Sequence, residues 1–306
     1  MLVNTKQMLK KATKEGYAVG AFNTSNLEFT KMIVKAAEDL NSPVIIQAST
    51  KAINYAGIKE LSNIVKTIAK NTKIPVALHL DHGPDLLWAK KCLKNSFSSI
   101  MIDASSYPYK KNVSITKSVV NASKRYKASV EAEIGALQGI EDDVVVNEKD
   151  AVLTNPIEAK KFVKESGCDS LAVAIGTSHG PYKFKGSSNL DFNRLKEIKN
   201  EVNVPLVLHG ASSIPEKIVN KARKYGAIIG ETHGVSNAHL RKAVKMGIAK
   251  VNTDSDLRLM FDASLREFIN LNPKVYDPRT ILSHTNKAIY EVVKEKIKIL
   301  GSDGKA

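Results

Sequence analysis

Eight times along this chain a short apolar run gives way to a segment with helical spacing. The runs are Tyr17–Asn23, Pro43–Ser49, Pro75–Asp81, Ser98–Ala104, Ser129–Gly135, Ser170–Gly176, Pro205–Ala211 and Ile248–Ser255. Short, β-branched and largely unbroken by polar alternation, they fit strands that are covered on both faces. The intervening segments, such as LEFTKMIVKAAEDL and NPIEAKKFVKESG, carry apolar residues at helical intervals, and Asn155-Pro156 predicts a capped helix start. Repeated strand–helix alternation predicts an α/β fold, a closed (β/α)8 TIM barrel. An open doubly wound sheet would carry a Gly-rich first turn, and GAFNTSN stands there instead. The chain is read as one barrel domain over residues 1–306, with a C-terminal helical extension over about 256–306.

The formal charge of +15 raises the question of an anionic macromolecule. In AKKFVKES and EVVKEKIKIL the lysines alternate with apolar and acidic residues, the pattern of solvent-facing helix surfaces. Nucleic-acid binding calls for a basic stripe with aromatic partners, and no such cluster is present in the sequence. No apolar run reaches the ~20 residues of a membrane-spanning helix. The first residues, MLVNTKQMLKKATKEG, read as an amphipathic helix and not as a signal peptide. Cys92 and Cys168 are far apart and outside any C-x-x-C pair, so buried, inert thiols in a reducing cytoplasm are expected.

The polar residues then sort to one place. Asn23, Ser49, Asp81, His82, Asp103, Ser105, Glu133, His179, His209, Asn252 and Asp254 all fall at or just past the C-terminal ends of the runs. In a barrel this is a single rim, the one that hosts active sites. His82 and His179 follow the third and sixth runs and His209 stands at the end of the seventh; three protein ligands with an open position make a catalytic zinc set. Any one of them alone reads as a structural histidine, and jointly, beside carboxylates, they read as ligands. His79, inside a run, is expected to hydrogen-bond or pack within the barrel, and His233, His239 and His284 to lie on the surface. SHGPY and LHGASS place a glycine after a rim histidine, where backbone N–H groups can close on a phosphate. Ser212 and Ser255 would add hydroxyls there. Arg258 offers a fork for a second phosphate or, more plainly, a surface ion pair.

Seven ordered motifs carry a resemblance: HLDHG, MIDASS, VEAEIG, GIEDD, AIGTSHGPYKFKG, LVLHGASSIP and KVNTDSDLR. Together they resemble the class II, zinc-dependent fructose-bisphosphate aldolases across nearly the whole chain. The resemblance implies that His82, His179 and His209 hold Zn2+, with Glu133 and Asp103 as auxiliary metal or supporting carboxylates. It implies Asp81 as the acid/base at the C4 hydroxyl. Glu141, on an insertion after the fifth strand, would move a C–H proton of dihydroxyacetone phosphate, and Asn252 would hydrogen-bond the enediolate. Gly180, Gly210, Ser212, Asp254 and Ser255 match the pocket for the ketose 1-phosphate. Ser49 and Arg258 match contacts to the 6-phosphate, the arginine from a neighbouring subunit, and rim residue Asn23 joins the substrate contacts. Further implications are a homodimer or homotetramer, sugar bisphosphate and triose phosphate substrates, and a monovalent cation such as Na+ or K+. HGASS in place of the commoner HGG, and Ser255 where threonine is frequent, keep a small side chain or a hydroxyl. Three other readings stay open: a tagatose-bisphosphate aldolase, a Schiff-base aldolase using Lys250, and a non-enzymatic binding protein using the basic surface.

Overall fold

The computed structural model of the protein describes residues 2–135, 138–141, 144–146, 152–179 and 190–306. The strands are β1 (Val19–Asn23), β2 (Val44–Ala48), β3 (Val76–Gly83), β4 (Ser99–Ile102) and β5 (Ser129–Ile134). They continue with β6 (Gln138–Glu141), β7 (Val144–Val146), β8 (Ser170–Val173), β9 (Ser178–His179), β10 (Leu206–Leu208) and β11 (Ile248–Thr253). The helices are α1 (Thr5–Glu15), α2 (Leu27–Asp39), α3 (Thr50–Ala56), α4 (Ile58–Lys70), α5 (Leu86–Lys94) and α6 (Tyr109–Lys124). They continue with α7 (Pro156–Ser166), α8 (Phe192–Glu201), α9 (Glu216–Lys224), α10 (Asn237–Lys245), α11 (Ser255–Leu271) and α12 (Pro278–Leu300).

Eight strands close into a parallel barrel in the order β1-β11-β10-β8-β5-β4-β3-β2. Each of the eight apolar runs supplies one of them, as the alternation predicts. Burial on both faces explains why: every residue of β1, β2, β4, β5 and β11 is buried, so neither side of these strands needs polar alternation. The remaining strands form a small sheet, with β6 antiparallel to β7 and parallel to β9. That sheet locates the expected insertion between β5 and its helix.

Local chemistry sets the ends of the helices. Asn155 accepts the backbone N–H groups of Ile157 and Glu158, both at 3.0 Å, Pro156 opens α7, and Gly167 closes it in the left-handed region at φ 74°. Asn155→Ala is expected to cost about 1 kcal/mol, read as a lower urea midpoint at an unchanged slope. The C-terminal extension forms as expected: α12 lies against α2 and α11, and its buried Ile289, Val293, Ile297 and Leu300 are spaced as one face of a helix. One expectation there is corrected. The lysines of EVVKEKIKIL do not all face solvent, since Lys296 is buried and ion-paired to Asp256 at 3.0 Å.

Helix α1 closes the floor of the barrel. Met8, Leu9 and Ala12 pack on Val19, Ala21, Ile45, Ala77 and Ala249. Leu2 bridges to Val76, and Thr5 reaches Ser129 and Ser99 through hydroxyl contacts of 2.8 and 3.1 Å. Both cysteines are buried, and burial pushes each thiol up to about 12, consistent with inert groups. Among the described residues no helix is long and apolar enough to cross a membrane.

Candidate active site

Strand β3 runs further than its apolar run implies, and this extension builds the site. It takes in His82 at a left-handed φ of 45°, and the register against β4 slips between Leu80 and Gly83. In a regular strand, Asp81 and His82 would face opposite sides. The bulge turns both to one side, where Asp81, His82 and His209 offer ligand atoms within 4.8 Å of one another. A second set, His82, Asp103 and Glu133, meets the same limit. Holding a non-glycine residue in this conformation costs on the order of 1–3 kcal/mol, the sort of strain that collects at active sites.

The two imidazoles are oriented by carboxylates. Asp103 Oδ2 lies 2.8 Å from His82 Nδ1, and Glu131 Oε1 lies 2.8 Å from His209 Nε2. A carboxylate accepts, so each of these ring nitrogens carries the proton. The opposite nitrogens, His82 Nε2 and His209 Nδ1, then face each other at 2.9 Å. Burial also holds the His209 imidazole below its ordinary range, disfavouring its charged form. Imidazole nitrogens gathered in this way, each ring backed by a carboxylate on its other side, fit a cation beside them, and neutral donors of this kind suit Zn2+. The Asp103 carboxyl would be raised by burial, but His82 and the Ser105 donors outweigh this and hold it well below the usual carboxylate range.

Beneath the imidazoles lies a charged layer whose centre, Glu131, sequence reasoning missed. Glu131 accepts from Lys250 Nζ on both oxygens, at 2.9 and 3.0 Å, and Lys250 also sits 3.3 Å from His79 Nε2. His79 is fully buried and hydrogen-bonds Ser99 at 2.7 Å, as its place inside a run predicts. Burial also lowers the His79 pKa well below its ordinary value. Burial would raise the Glu131 carboxyl, yet Lys250, His209 and His79 together hold it far below the ordinary range. Lys250 is thus a fully buried partner of a carboxylate, one layer below the rim. A Schiff-base nucleophile needs a free lone pair with access to substrate, and this geometry provides neither.

Asp81 is held by amides. Asn23 Nδ2 donates to it at 2.8 Å, Gln47 Nε2 at 3.2 Å and Asn252 Nδ2 at 3.2 Å, while Gln47 also donates to Asn23 Oδ1 at 2.6 Å. Gln47 is the second residue missed. Asn252 Oδ1 is buried with no hydrogen-bond partner among the described residues, an acceptor that a substrate hydroxyl could use.

The expected anion loop after β10 lies beside this cluster. Gly210 has φ 61°, and a Cβ there would meet Ser178 O at 2.5 Å, so only glycine lets the loop after β10 approach β9. Ser212 Oγ accepts the Asp254 N–H at 3.3 Å, joining that loop to the start of α11, where Ser255 is the first helical residue. Arg258 forks onto Asp254 with contacts of 2.8 Å at both oxygens, the ion pair that was its plainer reading. Ser49 caps α3, accepting the Ala52 N–H at 3.4 Å. Gly180 lies outside the described residues, and Glu141 and His179 are described through their backbone alone. That backbone links them: Gly139 of β6 is in register with His179 of β9, two residues before Glu141. His233 and His284 are exposed, and His239 is half-buried against Phe192.

A parallel barrel with a buried carboxylate–imidazole cluster on its C-terminal rim defines a metal-assisted TIM-barrel enzyme. The family model described as "Fructose-bisphosphate aldolase class-II" matches residues 3–305, and the chain belongs to this zinc-dependent family of lyases. It is 49% identical over 306 residues, the full length of both chains, to the fructose-bisphosphate aldolase of Thermus caldophilus. Its identity to the fructose-bisphosphate aldolase of Helicobacter pylori strain 26695 is 48%, again over the full length of both. Among solved structures, an aldolase from Escherichia coli K12 superposes with a TM-score of 0.83 at 31% identity, covering 100% of each chain.

Proposed function

We propose that the protein reversibly cleaves fructose 1,6-bisphosphate into dihydroxyacetone phosphate and glyceraldehyde 3-phosphate at the rim described above. The observation that carries this reading is the pair of carboxylate-oriented imidazoles facing each other at 2.9 Å beside the amide-held Asp81, in a member of this family. Zn2+ held by His82, His179 and His209, with Glu133 and Asp103 close by, would supply Lewis-acid charge at the ketose oxygens. Asp81 takes the C4 hydroxyl proton as the C3–C4 bond breaks and the aldehyde forms. The electron pair stays on the dihydroxyacetone phosphate fragment. Glu141 returns a proton to its C3, and Asn252 orients the oxygens by hydrogen bonding. Gly180, Gly210, Ser212, Asp254 and Ser255 bind the 1-phosphate, with the start of α11 favouring the anion. Ser49 contacts the 6-phosphate, and Asn23 joins the substrate contacts.

Arg258 reaches the 6-phosphate of a neighbouring subunit's substrate, which makes the working form a homodimer or homotetramer. Exposed Leu271 and Tyr276 at the turn between α11 and α12 offer apolar surface for such an assembly. A cytoplasmic setting fits two buried, unpaired thiols, and Na+ or K+ is assigned as an auxiliary ion.

The deciding assay measures cleavage of fructose 1,6-bisphosphate and tagatose 1,6-bisphosphate in parallel, before chelation, after it, and after zinc is restored. Chelation is expected to abolish activity and zinc to recover it, with fructose the preferred sugar. Full activity in metal-free protein would overturn the site, and preference for tagatose would reassign the substrate. Exchanging Na+ and K+ for a bulky organic cation in the same assay tests the auxiliary ion.

A further inference from the structure

We propose that Lys296, on the C-terminal helix α12, is a positioning residue for the 1-phosphate, holding from beneath the loop after β10 that carries Gly210 and Ser212. This rests on the assignment of that loop to the ketose 1-phosphate.

The loop needs support. Ile214 is β-branched and sits at φ 46°, a left-handed conformation such residues rarely hold unaided. Asp256, in the first turn of α11, meets the need by accepting two successive backbone N–H groups, Ser213 at 3.0 Å and Ile214 at 2.6 Å. Lys296 Nζ lies 3.0 Å from Asp256 Oδ2 and donates to Ser213 Oγ at 2.7 Å. With its oxygen so occupied, the Ser213 hydroxyl donates onward to Asn237 Oδ1 at 3.1 Å. On the far side Val235 N–H donates to Ser212 O at 3.1 Å, and Gly234 passes so close that a Cβ would meet Ser213 O at 2.2 Å. The loop is therefore pinned from α10, α11 and α12 at once.

Two features separate this strut from ordinary packing. A buried ion pair contributes little net stability compared with an apolar pair of the same size. An apolar pair could not accept two adjacent N–H groups or fix the Ser213 hydroxyl. In addition, the residue beside the pinned pair is Ser212, whose Oγ accepts the Asp254 N–H, so displacing Ser213 disturbs the joint between both phosphate-side segments. Burial alone would raise the Asp256 carboxyl; Lys296 and the two backbone donors outweigh it and hold it below its ordinary value.

The test is steady-state kinetics of the zinc-loaded enzyme in the condensation direction, varying each triose phosphate separately. Lys296→Met is expected to raise KM for dihydroxyacetone phosphate about tenfold, as for the loss of one well-placed donor. KM for glyceraldehyde 3-phosphate and kcat should stay within about twofold, and Lys296→Arg should recover most of the loss. If Lys296→Met does not fold, the charge-free double variant Asp256→Asn with Lys296→Met decides, with the same split expected. An equal rise in both KM values, or unchanged values, would overturn the proposal. Ser212→Ala separates it from the reading beneath it. No change in KM for dihydroxyacetone phosphate in Ser212→Ala removes the phosphate assignment, whereas a rise there without one in the Lys296 variants removes the strut alone.

Discussion

Asp81→Asn is expected to lower kcat for cleavage by about 100- to 10,000-fold, the usual contribution of a positioned acid/base. The substitution keeps the shape of the side chain and removes its ability to take up a proton. Three amides converge on the carboxylate, from Asn23, Gln47 and Asn252. An amide in its place has one acceptor oxygen and would turn an NH2 toward at least one of these donors, so a stability loss of about 1–3 kcal/mol accompanies the kinetic effect. A second readout separates chemistry from damage. Exchange of a dihydroxyacetone phosphate C–H proton with solvent is assigned to Glu141 and not to Asp81, so the variant should retain it in D2O while cleavage is lost. Loss of both, in a folded and metal-loaded protein, would show that Asp81 supports the site and does not carry the proton.

Glu131→Gln should damage the protein in two ways at once. Glu131 is the only carboxylate within salt-bridge distance of Lys250 among the described residues, and both side chains are buried. Removing one charge of a buried pair typically costs about 3–5 kcal/mol, because the other is left uncompensated. The same carboxylate fixes the tautomer of His209 by accepting from Nε2 at 2.8 Å. A carboxamide can turn either its oxygen or its NH2 to that nitrogen, so the ring loses its enforced orientation. Zinc affinity is expected to fall about 10- to 100-fold, as for other groups that orient a ligand. Adding Lys250→Met removes the stranded charge and should restore much of the stability, but not the affinity. If the double variant recovers both, Glu131 matters only as a counter-charge.

The fold was legible because a parallel barrel buries both faces of its strands, which leaves a run without alternation in the sequence. The rim was legible for the same reason in reverse: polar residues stood out where each run ended. Polar residues inside the runs were harder to see. Gln47, Glu131 and Lys250 lie within strands that otherwise read as apolar, and each points to the barrel axis. Their spacing held the available signal. Glu131 precedes Glu133 by two residues, and Lys250 precedes Asn252 by two, so each pair shares a face of its strand. The bulge at His82 had no such signal, since histidine does not advertise a left-handed backbone. Asp256 and Lys296 were concealed by composition: a lysine in EVVKEKIKIL looks like its neighbours, and only packing against α11 shows that it is buried.

The helix that floors the barrel also sets an order of events in synthesis. Thr5 finds its partner Ser129 across 124 residues and Ser99 across 94. A growing chain releases α1 well before β5, and Ser129 does not exist until β5 is being translated. At about 5–20 residues per second this interval is on the order of ten seconds. Throughout it Met8, Leu9 and Ala12 have no barrel floor to cover them. Helix α1, made before the strands it covers, is thus among the last of these elements to be buried, since Ala249 of β11 completes its floor.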